Sequence, residues 1–308
     1  LPMDLGILWF LALAGLSVYG IMLGGWSSHN KYSLLGAMRA GAQVISYEAA
    51  MGLSLVSVLI TYGSIHLGDI VTYQGQLLFG FIPAWGIIIQ PIAALIFIIT
   101  AFAEANRTPF DLAEGESEIV GGFHTEYSAM RFGLFFVGEY VAMSASSALI
   151  VTLFLGGYHL PYLNTQTLQS YMPFILMFIM VALPLGSYSA MRWIKKHNRW
   201  HKAGDVRNHE SAFLQKGLIG INVFVIAGLG FLLFSGLSET STNVATAIIQ
   251  ITTFALKLLF MNFVFVWVRW TLPRFRYDQL QMLGWKVLMP LALANIFISA
   301  IIVVVRGM

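Results

Sequence analysis

The chain has 308 residues, of which 58% are hydrophobic and 10% charged, with a formal net charge of +3 and no cysteine. A mean hydropathy of +0.77, with apolar runs about twenty residues long, excludes a soluble globule and predicts an all-α polytopic transmembrane bundle. Without cysteine the chain holds neither disulfides nor a cysteine-ligated iron–sulfur cluster.

Apolar periodicity and its breakers place eight spans at 4–26, 43–65, 83–103, 128–156, 172–194, 212–235, 244–269 and 285–305. Together they make residues 1–308 a single transmembrane domain. The start, Leu1-Pro2, has no charged leader region and no small-residue cleavage site, so the first run reads as a span rather than a signal peptide.

Lys31 and Arg39 follow the first span, Arg107 and Arg131 flank the third connection, and Arg192, Lys195, Lys196, Arg199, Lys202, Arg207 and Lys216 crowd the fifth. Arg269, Arg274, Arg276 and Lys286 flank the last, whereas loops 66–82, 157–171 and 236–243 carry no Lys or Arg. That asymmetry makes the basic set of loops cytoplasmic. The basic stretch around Trp200 reads as a topogenic loop near anionic headgroups. Its His197 and His201, at i, i+4 spacing, lack a third ligand type for a metal.

The connection 104–127 differs in kind. Six of the chain's 14 carboxylates fall there: Glu104, Asp111, Glu114, Glu116, Glu118 and Glu126. Glu104 and Arg107, three apart, are placed to pair at a helix end. Pro109 breaks the helix, and Asp111 with Glu114 resembles a capping box, so a short helix is expected with Glu114 and Glu118 one turn apart. Phe110, Leu112, Ile119, Val120 and Phe123 would draw this segment onto the bundle.

Three charged residues lie inside spans: Glu48, Glu139 and Lys257. Glu139 is about 16 Å into its helix and Lys257 about 18 Å from the cytoplasmic end of its own, which puts both near the midplane. Ionisable groups at such depth face the interior, paired or hydrated, and mark ion routes. Glu118, His124, Glu126 and Glu139, with Glu48 from another helix, trace a path for protons from the loop into the bilayer. Glu126 and Glu139 would be roughly 20 Å apart along a straight helix, so Glu48, Tyr127, Tyr140 or water must bridge them. A buried Glu–Lys pair that only orients helices is the structural alternative.

The only paired glycines of dinucleotide type, Gly228 and Gly230, lie inside a span, and no Walker A motif occurs, so nucleotide binding is excluded. All seven His residues fall in loops or at span edges, which excludes paired axial ligands for a transmembrane haem.

The stretches Glu104-Ala-Asn-Arg107-Thr-Pro-Phe-Asp111-Leu, Gly122-Phe123-His124-Thr125-Glu126-Tyr127-Ser128 and Leu134-Phe135-Phe136-Val137-Gly138-Glu139-Tyr140 resemble the family of H subunits of bacterial NADH-quinone oxidoreductases, the respiratory complex I. Residues 25–36, 45–48 and 272–280 extend the likeness to about three quarters of the chain. The resemblance implies a membrane component of a proton-translocating NADH:quinone oxidoreductase, without a redox centre of its own. Arg107, Asp111, Glu114, Glu116 and Phe123 would then belong to a cytoplasmic loop lining the quinone chamber. Glu48, Glu104, Glu118, His124, Glu126, Glu139, Tyr140 and Lys257 would belong to the proton route.

It further implies quinone as substrate, and NADH, FMN and iron–sulfur clusters held by partner subunits. The partners would be the peripheral-arm subunits of the quinone site, small membrane subunits and lipid, with no nucleic acid, in the cell inner membrane. Two departures stand out: the chain starts at what resembles the family's third helix, as a truncated chain would, and residues 171–240 read as an inserted pair of helices. A membrane subunit of an energy-converting hydrogenase, or of a related ferredoxin- or F420-dependent complex, is the alternative; the Thr108–Asp111 and His124–Tyr127 motifs favour the quinone enzymes.

Overall fold

The computed structural model describes residues 6–78, 80–115, 119–197, 206–234 and 238–306. Among them, seven helices are long and apolar enough to cross a membrane. The protein is an integral membrane helical bundle, and its residues fall into two compact units, Leu1–Tyr162 with Ile251–Met308 and Leu163–Gln250.

The first unit starts with α1, Gly6–Ser27, whose 22 residues reach about 33 Å, enough to cross the hydrocarbon layer. The next helix, α2, is Lys31–Tyr62 and begins well before the span expected at 43–65. Asn30 sets that start, its side-chain oxygen accepting the Tyr32 N–H at 2.9 Å, as an N-cap does. The basic turn after the first span is therefore helical almost at once. Gly63, at φ 64°, ends α2 in the left-handed conformation that suits glycine.

A short helix, α3 (Leu67–Gln74), and a small antiparallel hairpin, Leu77–Leu78 with Ile82–Pro83, form the following connection.

The span expected at 83–103 is not one helix. It is α4, Gly86–Ile89, then α5, Pro91–Glu104. Pro91 offers no N–H, and its ring keeps the preceding residue out of the α region; Gln90 sits at φ −129°, ψ 62°. The 14 residues of α5 reach only about 21 Å, short of a full crossing.

The chain then runs through the acidic segment and a 3₁₀ turn, Gly122–His124, into α6, Ala129–Phe154. The core lies among α2, α5 and α6 and the last helices of the unit, with Tyr47, Phe97, Ile150, Phe154 and Phe265 almost fully buried. Phe102 stacks on Phe265 at 4.0 Å between centroids.

In the second unit, α7 (Thr165–Ser170) leads into α8 (Met172–His197) and α9 (Val206–Phe234), which pack against each other. The basic loop between them, including His201, and the His197 side chain lie outside the described residues. The N-terminal part of α10, Glu239–Thr271, completes this unit, where Gln169 donates to Asn243 and Gln250 to Thr165.

The remainder of α10 belongs to the first unit with α11, Tyr277–Met282, and α12, Met289–Arg306. Between those two, Leu283–Leu288 winds as a π-helix, and Gly284 lies against the Tyr47 ring.

Candidate functional site

The acidic segment folds down onto α2 because its apolar residues are buried as expected. Phe110, Leu112, Ile119 and Phe123 are all at most 5% exposed; Val120 instead points outward. Phe123 packs with Ala37, Ala40 and Ala113, and its carbonyl accepts the buried Ser33 hydroxyl at 2.7 Å. Gly122 makes the descent possible. Its φ is +67°, and a Cβ there would stand 1.7 Å from the Ala113 carbonyl oxygen, so only glycine fits.

Gln43 pins the start of the segment: its buried amide donates to the carbonyls of Ala103 and Phe110, both at 2.8 Å. Tyr47 stacks edge-on against Phe110 and donates its hydroxyl to the Leu280 carbonyl.

The expected Glu104–Arg107 pair is replaced by another. The helix ends at Glu104, and Asn106, at φ 48°, turns the chain, so the i, i+3 geometry of a continuing helix is lost. Arg107 instead reaches α6, where its Nη2 lies 3.3 Å from Glu139 Oε2, both side chains being nearly buried. The guanidinium also covers the Tyr140 ring at 4.4 Å, a cation–π contact. At 3.3 Å the pair is looser than a charge-assisted hydrogen bond. Arg107 Nε and Nη2 and Glu139 Oε2 are buried without a hydrogen-bond partner.

Asp111 is held by a cation from the far end of the sequence. Arg274 Nη2 donates to Asp111 Oδ2 at 2.8 Å, while Asp111 Oδ1 accepts the Glu114 N–H at 3.3 Å. The capping contact expected of Asp111 is thus made and closes a turn over 112–114, and Ile119, whose N–H donates to the Gly115 carbonyl at 2.9 Å, is helical. The Phe275 N–H donates to the Pro109 carbonyl, and Phe275 packs on Phe110, so the connection after α10 clamps the segment. Arg274 was legible only as one of a run of orienting cations.

Glu114 lies 3.8 Å from His124 Nε2. Burial, followed by the Asp111 and Glu139 charges, pushes its carboxyl up to about 8 against the opposing pull of Arg107. His124 stacks flat on Phe132 and lies beside Phe123. Arg107, Asp111, Glu114, His124, Glu139 and Tyr140 therefore form one group where the segment meets α6. Two guanidinium groups stand against Asp111 and Glu139, and the raised affinity of Glu114 for a proton fits that balance.

Glu48 and Glu104 make a second group, close enough to act on each other electrostatically. Gly15 of α1 leaves the room Glu48 occupies, since a Cβ there would meet Glu48 Oε1 at 2.5 Å. Glu126 stands apart: exposed, it accepts a bond from the Asn30 amide beside an open depression of about 640 Å³ shared with Tyr127 and Arg131. Tyr127 donates to the Gly24 carbonyl at 2.7 Å.

Lys257 is elsewhere. Its ammonium donates to the carbonyls of Leu155, Gly157 and His159 and sits over Trp85, at the end of α6 away from the acidic segment. Glu139 and Leu155 are sixteen residues apart on that helix and its exit, about 24 Å. Burial, then the Lys257 charge, lowers the affinity of His159 for a proton. Glu116 and Glu118 lie outside the described residues.

This architecture defines a class: a polytopic helical membrane protein in which an amphipathic acidic segment closes over a buried cluster of carboxylates and guanidinium groups. The sequence pattern of the NADH dehydrogenase family matches residues 1–206 and 212–300, and the chain belongs to that family. The H subunit of the NADH-quinone oxidoreductase of Bdellovibrio bacteriovorus is 39% identical over 98% of this chain and 66% of its own length. The corresponding H subunit of Salinibacter ruber is 40% identical over 99% and 68%, and NADH-quinone oxidoreductase subunit 8 of Rhodothermus marinus 39% over 97% and 67%. The chain thus spans about two thirds of the length of these relatives. Residues 171–240, expected to add two helices to the family pattern, lie inside the matched residues except for 207–211; the pattern itself runs through them.

Proposed function

We propose that the chain is a membrane component of a proton-translocating NADH:quinone oxidoreductase. In this reading the acidic segment lines the quinone chamber and the buried carboxylates carry the proton coupling. The observation that supports it best is the Arg107–Glu139 pair, 3.3 Å apart beneath the segment. The names of the relatives supply the reaction. NADH, FMN and iron–sulfur clusters would be held by partner subunits.

The cluster suits such work because its pairing is loose. A guanidinium with buried, unused donors can exchange one carboxylate for another at little cost, whereas a fully satisfied bidentate pair cannot. Charge arriving in the chamber as quinone is reduced would act first on Asp111, Glu114 and Arg107 in the segment. Arg107 transmits the change to Glu139 on α6, and Glu104 at the end of α5 links to Glu48 on α2. The segment would face the cytoplasm, a reading the distribution of Lys and Arg supports, and the bundle would lie in the inner membrane, as the family resemblance implies.

The test is Glu139→Gln and Glu48→Gln, made separately in the assembled complex. Both should depress quinone reductase activity and proton pumping while leaving assembly intact. Full pumping in both variants would contradict the proposal.

A further inference from the structure

The break between α4 and α5 carries a second polar site at the end of α5 opposite the acidic segment. Gln90 Nε2 donates to Thr61 Oγ1 at 2.7 Å and to Ser299 Oγ at 2.8 Å, and Gln90 Oε1 accepts from Asn295 Nδ2 at 3.1 Å. Asn295 also donates to Ser57 Oγ. Every hydroxyl in this network spends its own proton on a backbone carbonyl: Ser57 on Ser54, Thr61 on Ser57, Ser299 on Asn295.

Beside it lies a cavity of about 240 Å³, the room of roughly eight waters. Thr61, Gln90 and Ser299 line it together with Tyr73 and a set of aliphatic side chains that includes Ile88 and Ile302; among the described residues no charged side chain lines it. Ile88 and Ile302 are each 44% exposed, so the aliphatic side of the cavity opens to the surface of the bundle.

We propose that this cavity binds an uncharged alkyl alcohol, hydroxyl inward and chain outward. The donor inventory selects the head. Gln90 has given both amide hydrogens and Thr61 and Ser299 their hydroxyl hydrogens, while each of the three oxygens keeps an unused lone pair. Besides the Tyr73 hydroxyl, which both donates and accepts, this wall offers only acceptors, so its ligand must donate to it. An ammonium would donate too, but it would enter without a counter-charge, which a site of low dielectric penalises heavily. Water fits the wall but not the aliphatic remainder, where it would leave hydrogen bonds unmade. A hydroxyl on an alkyl chain satisfies both, and the exposed Ile88 and Ile302 let the chain continue into lipid. A free alcohol and a membrane monoglyceride offer the same chemistry.

The experiment is photolabelling of the full complex in native membranes with a diazirine-bearing octanol, with labelled peptides located by mass spectrometry. Saturable labelling of peptides carrying Ile88 or Ile302 is expected, with 1-octanol displacing the label about five-fold better than octane, the worth of about one hydrogen bond. Octylamine should compete no better than octane. Displacement by a short-chain monoglyceride as well would identify the membrane glyceride as the source; displacement by octanol alone would identify a site for free alcohols. Ile302→Trp, which fills the cavity, should abolish labelling, and Thr61→Val, which removes one acceptor, should weaken it. Absence of saturable labelling in the unaltered protein, or equal displacement by octane, would overturn the proposal.

Discussion

Arg107 and Glu139 face each other at 3.3 Å, one from the acidic segment and one from about 15 Å inside α6. They join the acidic segment to α6. Removing one partner of a buried pair typically costs about 3–5 kcal/mol because a charge is left unpaired. Arg107→Ala and Glu139→Gln should therefore each destabilise the assembled complex, the first leaving the Glu139 carboxylate and the second the Arg107 guanidinium without its partner. The double variant Arg107→Ala, Glu139→Gln should regain part of the loss, but not the Tyr140 contact. Thermal inactivation of the four forms measures this.

Arg274 should prove a positioning residue for the segment. Its bond to Asp111 is partly solvent-screened, so Arg274→Ala should cost about 1.5 kcal/mol locally, the low end of the range for a hydrogen bond to a charged group. Hydrogen exchange should quicken over residues 107–114 and stay unchanged in α8 and α9. Equal protection of that segment in both forms would show that Arg274 does not hold it.

Glu114 predicts a pH dependence. Its carboxyl is raised from an ordinary 4.5 to about 8, so the native state binds more protons than the unfolded state between those limits. Stability from this group is complete below pH about 4.5 and is lost as pH rises through about 8. Glu114→Gln should flatten the fall in thermal stability across that window. A fall as steep as in the parent protein would place the titration on another group.

Lys257 should matter for the fold and little for coupling. It holds the exit of α6 through the carbonyls of Leu155, Gly157 and His159, and Lys257→Met should lower thermal stability by at least about 2 kcal/mol. The same change should ease protonation of His159, whose affinity for a proton Lys257 depresses. The ratio of protons pumped to quinone reduced should stay as in the parent protein.

Gly122→Ala should prevent the segment from closing. Besides the strain of a left-handed φ, about 1–3 kcal/mol, the added Cβ would collide with the Ala113 carbonyl. Loss of assembled complex is the expected readout, and normal assembly would show that the backbone can shift.

Much of this was legible in the sequence because membrane spans announce themselves by length and apolarity. Seven expected spans are met by long helices; the third is not, since Pro91 imposes a break that apolar composition hides. The burial of Phe110, Leu112, Ile119 and Phe123 followed from an amphipathic segment beside a bundle. Partner choice did not follow. Local spacing assigned Arg107 to Glu104, yet the left-handed turn at Asn106 aims it at Glu139, and no local rule reaches from Asp111 to Arg274. Lys257 shows the same limit: depth in a span gave its burial, but not the carbonyls that satisfy it.

The most direct measurement is redox-induced infrared difference spectroscopy of the assembled complex as quinone is reduced, in the parent protein and in Glu139→Gln and Glu48→Gln. Protonation changes at these side chains predict carboxyl difference bands in the parent protein, with a distinct component missing from each variant. Difference spectra in which both variants match the parent would show that neither carboxyl changes protonation, and would contradict coupling through Glu139 and Glu48.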